Sequence, residues 1–271
     1  MTTHQPLVVL VTGASSGIGR SISTYLSQKG CLVYGTARNP EVYAQPEQYS
    51  LLALDVQQSS TIDSTVNHII ALHGRIDVLI NNAGVGITGP VEYTPLVEID
   101  KVFDINLKGP IRMLHAVLPH MRNQGSGLVI NITSIAGSMG LPFRGLYSAT
   151  KSALSLITES LRMECAPFGV KLCTVAPGDY ATNIASGRYH SPLDTSGPYH
   201  PQYDKTLEGM NAHVHQGSNP DEVAHLVWKI MQTKQPKVHY RVGKPLQKAA
   251  VWIKFLLPDT LFERLLLKFY A

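Results

Sequence analysis

Cysteine, charge and long apolar runs are all scarce in this chain, and each scarcity removes a class of protein from consideration. Its 271 residues hold three cysteines, Cys31, Cys165 and Cys173. An odd, sparse set without metal-ligand spacing supports neither a disulfide framework nor a cysteine-based zinc site. Cys31 and Cys173 fall in predicted strands, and all three read as buried thiols of a reducing compartment, so a cytoplasmic location is expected. No stretch supplies the ~18–20 consecutive apolar residues of a membrane-spanning helix. The opening MTTHQP has neither the basic segment nor the apolar core of a secretory leader. His213 and His215 alternate in HVH without a further ligand cluster or an acidic shell, so no metal is expected. No repeat or low-complexity segment occurs. Acid is missing in two places. None lies between Gly19 and Glu41, and residues 229–271 carry nine Lys/Arg against two acids, leaving the remainder net negative.

What is present begins at the N-terminus. Leu7-Val8-Val9-Leu10-Val11 is a β-branched apolar run, as expected of a strand covered on both faces. It runs into Thr12-Gly13-Ala14-Ser15-Ser16-Gly17-Ile18-Gly19, and a helical pattern follows with Ile18, Ile22, Tyr25 and Leu26 on one side. Strand, glycine turn and helix in that order suit a dinucleotide, because the turn lets the backbone approach a pyrophosphate and the helix N-terminus offers free N–H groups. The spacing is G-x-x-x-G-x-G rather than the commoner G-x-G-x-x-G. Gly13, Ser15, Ser16, Gly17, Ile18 and Gly19 are the candidate contacts. A second strand, residues 31–36, ends in Ala37-Arg38-Asn39. NAD-binding units place an acid near this point for the ribose 2′-hydroxyl, whereas an Arg accommodates a 2′-phosphate. Arg38 therefore favours NADP(H) over NAD(H).

Tyr147 and Lys151 in YSATK lie one helical turn apart, on one face. A free phenol with a pKa near 10 exchanges protons poorly at neutral pH. A neighbouring ammonium in a desolvated cleft would lower it, making Tyr147 a candidate general acid/base. Alone, such a pair is an ordinary surface contact; its weight comes from the motifs before it.

With TGASSGIG at 12–19, NNAG at 81–84, Ser134 and YSATK at 147–151, the chain resembles the short-chain dehydrogenase/reductase family over residues 5–185. The resemblance implies a role for each matching position. Asn82, Ala83 and Gly84 would lie against the cofactor ribose. Asp55, followed by Val56, would meet the adenine. Asn106 would help hold a proton-relay water through its backbone, and Ser134 would polarise the substrate carbonyl. Lys151 would lower the Tyr147 pKa and bond the cofactor ribose. Pro177, Gly178, Tyr180 and Thr182 would clasp the nicotinamide carboxamide; Asp179 departs from the small or apolar residue many relatives carry there. The implied reaction is reduction of a carbonyl, or its reversal, by hydride transfer. The helices holding Asn106 and Tyr147 would pair in a homodimer or homotetramer, and the apolar excess in Ile99–Met121 fits such an interface.

The expected fold is a single α/β Rossmann domain, a doubly wound parallel sheet with helices on both faces and a C-terminal helical extension. Residues 5–182 would form the cofactor-binding and catalytic core, 183–219 a mobile substrate flap, and 244–271 apolar and basic helices. Tyr189, Tyr199 and Tyr203 are candidate pocket residues in the flap. A helix over Asp221–Thr233 and a last strand near Pro236–Gly243 come between. The tail, with the VYGTARNP stretch at 33–40 and the long flap, resembles the branch with hydroxysteroid and retinol dehydrogenases and acyl-dihydroxyacetone-phosphate reductases, which implies a lipophilic carbonyl or alcohol. A 3-oxoacyl thioester reductase, a broad carbonyl reductase and an NADP(H)-sensing binding protein are the alternatives. The tail helices have three readings: capping the cleft or packing on another subunit, lying on an anionic membrane surface, or ordinary internal packing. No nucleic-acid-binding fold or aromatic platform is present.

Overall fold

The computed structural model describes residues 5–181, 187–193, 196–215 and 217–270, with side chains left aside at 212–215 and 269–270. The chain opens with β1 (Val8–Val11), α1 (Gly17–Gln28), β2 (Leu32–Ala37), β3 (Ser50–Ala53), α2 (Ser59–His73) and β4 (Val78–Asn81). A short β5 (Ile87–Thr88) leads to α3 (Leu96–Phe103) and α4 (Gly109–Gln124), then β6 (Gly127–Ile132), α5 (Gly145–Cys165) and β7 (Val170–Pro177). The last third holds β8 (Tyr189–His190), α6 (His200–His215), α7 (Asp221–Met231), β9 (His239–Val242), α8 (Pro245–Leu256) and α9 (Asp259–Tyr270).

Seven strands form one sheet in the order β3-β2-β1-β4-β6-β7-β9, every pairing parallel. The register explains the sequence pattern. In β1, Val9 and Val11 face a core shared with α1 and α7, through Ile22, Leu26, Val223 and Val227. Val8 and Leu10 face the opposite core, with Ile62, Val66, Met113 and Val117 of α2 and α4. A strand buried on both faces has no polar positions to alternate, so it reads as an unbroken apolar run. Strand order reverses at β1/β4, which opens a crevice at the carboxyl ends of those strands.

One segment departs from expectation. The 183–219 region, expected as an irregular flap, contains β8 and the 16-residue α6. Ile87 pairs with Tyr189 and Thr88 with His190 in a second, two-stranded sheet. Within Ile99–Met121, residues 104–108 adopt π geometry between α3 and α4. The fold class, both helical layers and the C-terminal helices agree with the sequence reading. Cys31 and Cys173 are buried and Cys165 half-buried, all as free thiols; burial pushes the Cys173 thiol up to about 12.

Candidate active site

The glycine turn after β1 is fixed to the turn after β4. Thr12 Oγ1 accepts the backbone N–H of Asn82 and of Ala83, each at 3.0 Å. The Asn82 side-chain amide donates to the Thr12 and Gly13 carbonyls at 2.9 and 3.0 Å. Gly13 sits at φ +68, and a Cβ there would lie 3.0 Å from Ala83 Cα, so both conformation and space demand glycine. Ser15, Ser16, Gly17 and Ile18 are half-buried along the turn and the start of α1. Ser16 is the α1 N-cap, yet its side chain makes no capping bond. The Ser16 hydroxyl is thus not used in capping α1, and together with the helix N-terminus it is a donor set suited to a pyrophosphate. Arg38, exposed at the end of β2, is in no ion pair among the described residues. Asp55 Oδ1 accepts the Gln57 N–H at 3.0 Å, and Val56 is buried against Gly109. The groove fits a nicotinamide dinucleotide.

Ser134, Tyr147, Lys151 and Asn106 converge on the same crevice. Ser134 follows β6; its hydroxyl accepts the Ala136 N–H at 3.1 Å and touches the Pro177 carbonyl at 3.5 Å. Tyr147 and Lys151 occupy the first two turns of α5 and are 8% and 4% exposed. Asn106 is fully buried in the π segment. Its carbonyl oxygen accepts the Val85 N–H at 2.8 Å and its amide donates to the Val85 carbonyl at 2.9 Å and to Thr150 at 3.2 Å. Gly84 borders both Asn106 and Lys151. The side chain of Asn106 is thereby spent on holding the chain after β4, which leaves its backbone for any water.

Charge within the site corrects one expectation. Burial raises the Tyr147 phenol above its ordinary pKa, opposed by the Arg144 guanidinium, then by Ser134, then by the Arg188 guanidinium, with Asp179 reinforcing the rise. Lys151 does not supply the expected lowering. Its Nζ lies 6.0 Å from the Tyr147 ring centroid and donates to the Ile132 carbonyl at 3.0 Å. Burial brings its own pKa down to about 8. Mostly charged at pH 7 and engaged with the Ile132 carbonyl, it does not offset the desolvation of the phenol.

The clasp after β7 is partly rebuilt. Gly178 N–H donates to Val242 of β9 at 2.8 Å, and Asp179 accepts a 2.6 Å bond from the Gln247 amide of α8. The Tyr180 side chain turns away from the groove into the α1/α7 core, donating to Glu222 at 3.1 Å. Only its backbone remains to meet a cofactor. Thr182 lies outside the described residues, as do the side chains of His213 and His215.

Three residues near the site were not foreseen as functional. Arg144 lies 5.5 Å from the Tyr147 ring centroid, and its position three before Tyr147 at the helix entry was the available signal. Arg188 comes from the segment before β8, with no periodic pattern to announce it. Phe143 packs on Tyr203 of α6 at 5.3 Å. Tyr203 is 4% exposed, and Tyr189 packs beside Tyr147 and Ile87. Tyr199 lies farther out, donating to Glu92 at 2.8 Å. One face of α8 and α9 (Val251, Ile253, Phe262 and Leu266) closes over Ile135 and Met139, just after Ser134.

A model of the short chain dehydrogenase family matches residues 7–192. The chain is 37% identical over 268 residues to the 3-ketodihydrosphingosine reductase of Bacteroides thetaiotaomicron, spanning 98% of this chain and 99% of that one. It is 33% identical over 252 residues to human 17-beta-hydroxysteroid dehydrogenase type 1, covering 86% of this chain and 76% of the other. Among solved structures, a short-chain dehydrogenase from Streptomyces avermitilis aligns with a TM-score of 0.84 at 33% identity, over 97% of this chain and 96% of that one. Matched in this way across most of its length, the chain belongs to the short-chain dehydrogenase family and is one of its oxidoreductases.

Proposed function

We propose that this enzyme interconverts a carbonyl and an alcohol on a lipophilic substrate, with NADP(H) as cofactor and Tyr147 as general acid/base. The observation that carries it is the meeting of Ser134, Tyr147 and Lys151, with Lys151 bordering Gly84 of the turn that Asn82 ties to Thr12 and Gly13. Bound NADPH supplies hydride. Ser134 holds the carbonyl oxygen and the Tyr147 hydroxyl donates a proton to it, an exchange worth about 10²–10⁴ in rate. Lys151 and the backbone beside Asn106 return that proton from solvent. Desolvation keeps the phenol protonated at neutral pH, which suits a donor in the reductive direction.

Unpaired Arg38, with no acid on β2, supports the 2′-phosphate. Arg38→Asp should weaken NADPH binding by about tenfold or more while leaving NADH nearly unchanged. Fluorescence titration with both nucleotides checks this, and equal losses would contradict it. The lipophilic substrate rests on the apolar lid that α8 and α9 place beside Ser134. Turnover rising with chain or ring size in a panel of small ketones, 3-oxoacyl thioesters, retinal and ketosteroids supports that reading. Turnover limited to small ketones or thioesters contradicts it.

The outer face of α5 leaves Leu156 62% and Met163 71% exposed, and a homo-oligomer would cover it. The outer side of α8 exposes Trp252, Phe255 and Leu256, and α9 exposes Leu261, Leu265 and Leu267, apolar surface suited to a second subunit or to anionic lipid. No helix among the described residues is long and apolar enough to cross a membrane.

A further inference from the structure

Two guanidinium groups act on Tyr147, Arg144 from 5.5 Å off its ring centroid and Arg188 from the segment before β8. Arg188 Nη1 is buried and has no hydrogen-bond partner, and neither Arg144 nor Arg188 forms an ion pair among the described residues. Asp179 acts on Arg188 only at a distance, and its oxygen is engaged by Gln247 at 2.6 Å. A buried donor left unmade is costly, and two like charges facing one space add repulsion.

Both side chains are nonetheless held in place. Arg188 threads its stem over Gly86, where an added Cβ would lie 3.1 Å from the Arg188 Cγ. Tyr189, the next residue, is pinned by the β5–β8 pairing. Arg144, over the Tyr147 ring, follows directly on Phe143, a non-glycine residue at φ +57. The Phe143 carbonyl is fixed by the Gly89 N–H at 2.9 Å and the Thr88 hydroxyl at 3.0 Å. A left-handed residue with a bulky side chain persists where the surroundings over-determine it, and such positions gather at ligand clamps.

We infer that Arg144 and Arg188 form an oxyanion clamp that reads a phosphate or carboxylate group on the substrate, a few bonds from the carbonyl reduced at Tyr147. A planar fork of donors on each side matches the oxygens of either group. Together with the α8–α9 lid, this makes the substrate an amphiphile: an apolar chain on one side of the ketone and an anionic group on the other. The inference rests on the reductase reading and specifies its substrate.

The test is steady-state NADPH oxidation by the full-length enzyme on matched long-chain ketones. These end, at equal distance from the carbonyl, in phosphate, carboxylate, hydroxyl or ammonium. The expected order of kcat/KM puts phosphate or carboxylate first and ammonium last, and the two anions show which is read. Arg188→Gln and Arg144→Gln should each lower the anionic-to-hydroxyl ratio of kcat/KM by about 10–100-fold, with Arg→Lys restoring part of it. Gly86→Ala, which displaces the Arg188 stem, should lower the same ratio. A damaged fold would lower both substrates together and leave the ratio unchanged. An unchanged ratio in both arginine variants overturns the clamp, as does a wild-type preference for the hydroxyl or ammonium ketone. So does loss of NADPH affinity in place of loss of selectivity, which would assign the arginines to the cofactor. Turnover of none of the ketones would instead sink the reductase reading.

Discussion

Lys151 is the residue whose chemistry departs most from its isolated behaviour. Burial lowers its pKa from 10.5 to about 8, so between those values the unfolded chain binds more protons than the folded one. Stability of the free enzyme should therefore rise with pH from about 8 toward 10.5. At pH 7 the buried charge costs about 3 kcal/mol. Lys151→Met should be more stable than wild type at pH 7 by roughly that amount, with the gap narrowing as pH rises past 9. Urea denaturation of both proteins from pH 7 to 9.5 reads the difference, and parallel curves would contradict it. The position of Lys151 was legible from the YSATK spacing. Its electrostatics were not, because neither the depth of burial nor the bond to the Ile132 carbonyl is written in local sequence. Arg144 and Arg188 were missed for the same reason: a cation in sequence reads as solvated until the fold removes its water.

At the scale of elements, the two turns over the crevice behave as one unit through Thr12. Thr12→Val would leave the Asn82 and Ala83 N–H groups without their acceptor. A loss of about 2–4 kcal/mol is expected, together with weaker NADPH binding. Equilibrium unfolding and nucleotide titration check the pair, and a neutral substitution would show that the turns are held otherwise. Strands were easy to read because burial on both faces leaves continuous β-branched runs, and the expected ends fell within a few residues of β1, β2 and β9. The helix α6 was not, since Pro201 and Gly209 interrupt its letters. Its inward face is Tyr203, Thr206 and Met210, spaced at helical intervals but weakly apolar. The β5–β8 ladder pairs residues about a hundred positions apart over two rungs, too short to leave a pattern. The π turn at Asn106 was hidden as well, because its cause is the tertiary clamp on Val85.

For the whole molecule, the pattern of exposed apolar residues outlines what the isolated chain leaves uncovered. Leu156 and Met163 on α5 belong to an apolar face that one chain does not bury. The double substitution Leu156→Glu and Met163→Glu should convert an oligomer into monomers while preserving the far-ultraviolet circular dichroism. Light scattering at matched concentration measures it, and an unchanged mass would move the interface elsewhere. One of the three readings of the tail, internal packing, describes its inner face, which covers the segment after Ser134. Its outer face, with Trp252 held over Arg241 at 5.2 Å, remains open for a partner. Sequence could announce those helices by their apolar content, but not which half of it turns inward.

The central claim is that Tyr147 delivers the proton during carbonyl reduction. The most direct measurement is the rate of NADPH loss, matched to alcohol formed, for wild type and Tyr147→Phe on one long-chain ketone. NADPH affinity is measured alongside. Wild type should consume NADPH and form alcohol in equal amounts. In the variant kcat should fall by about 10²–10⁴ with NADPH affinity within about threefold. Comparable turnover in the variant would contradict the claim.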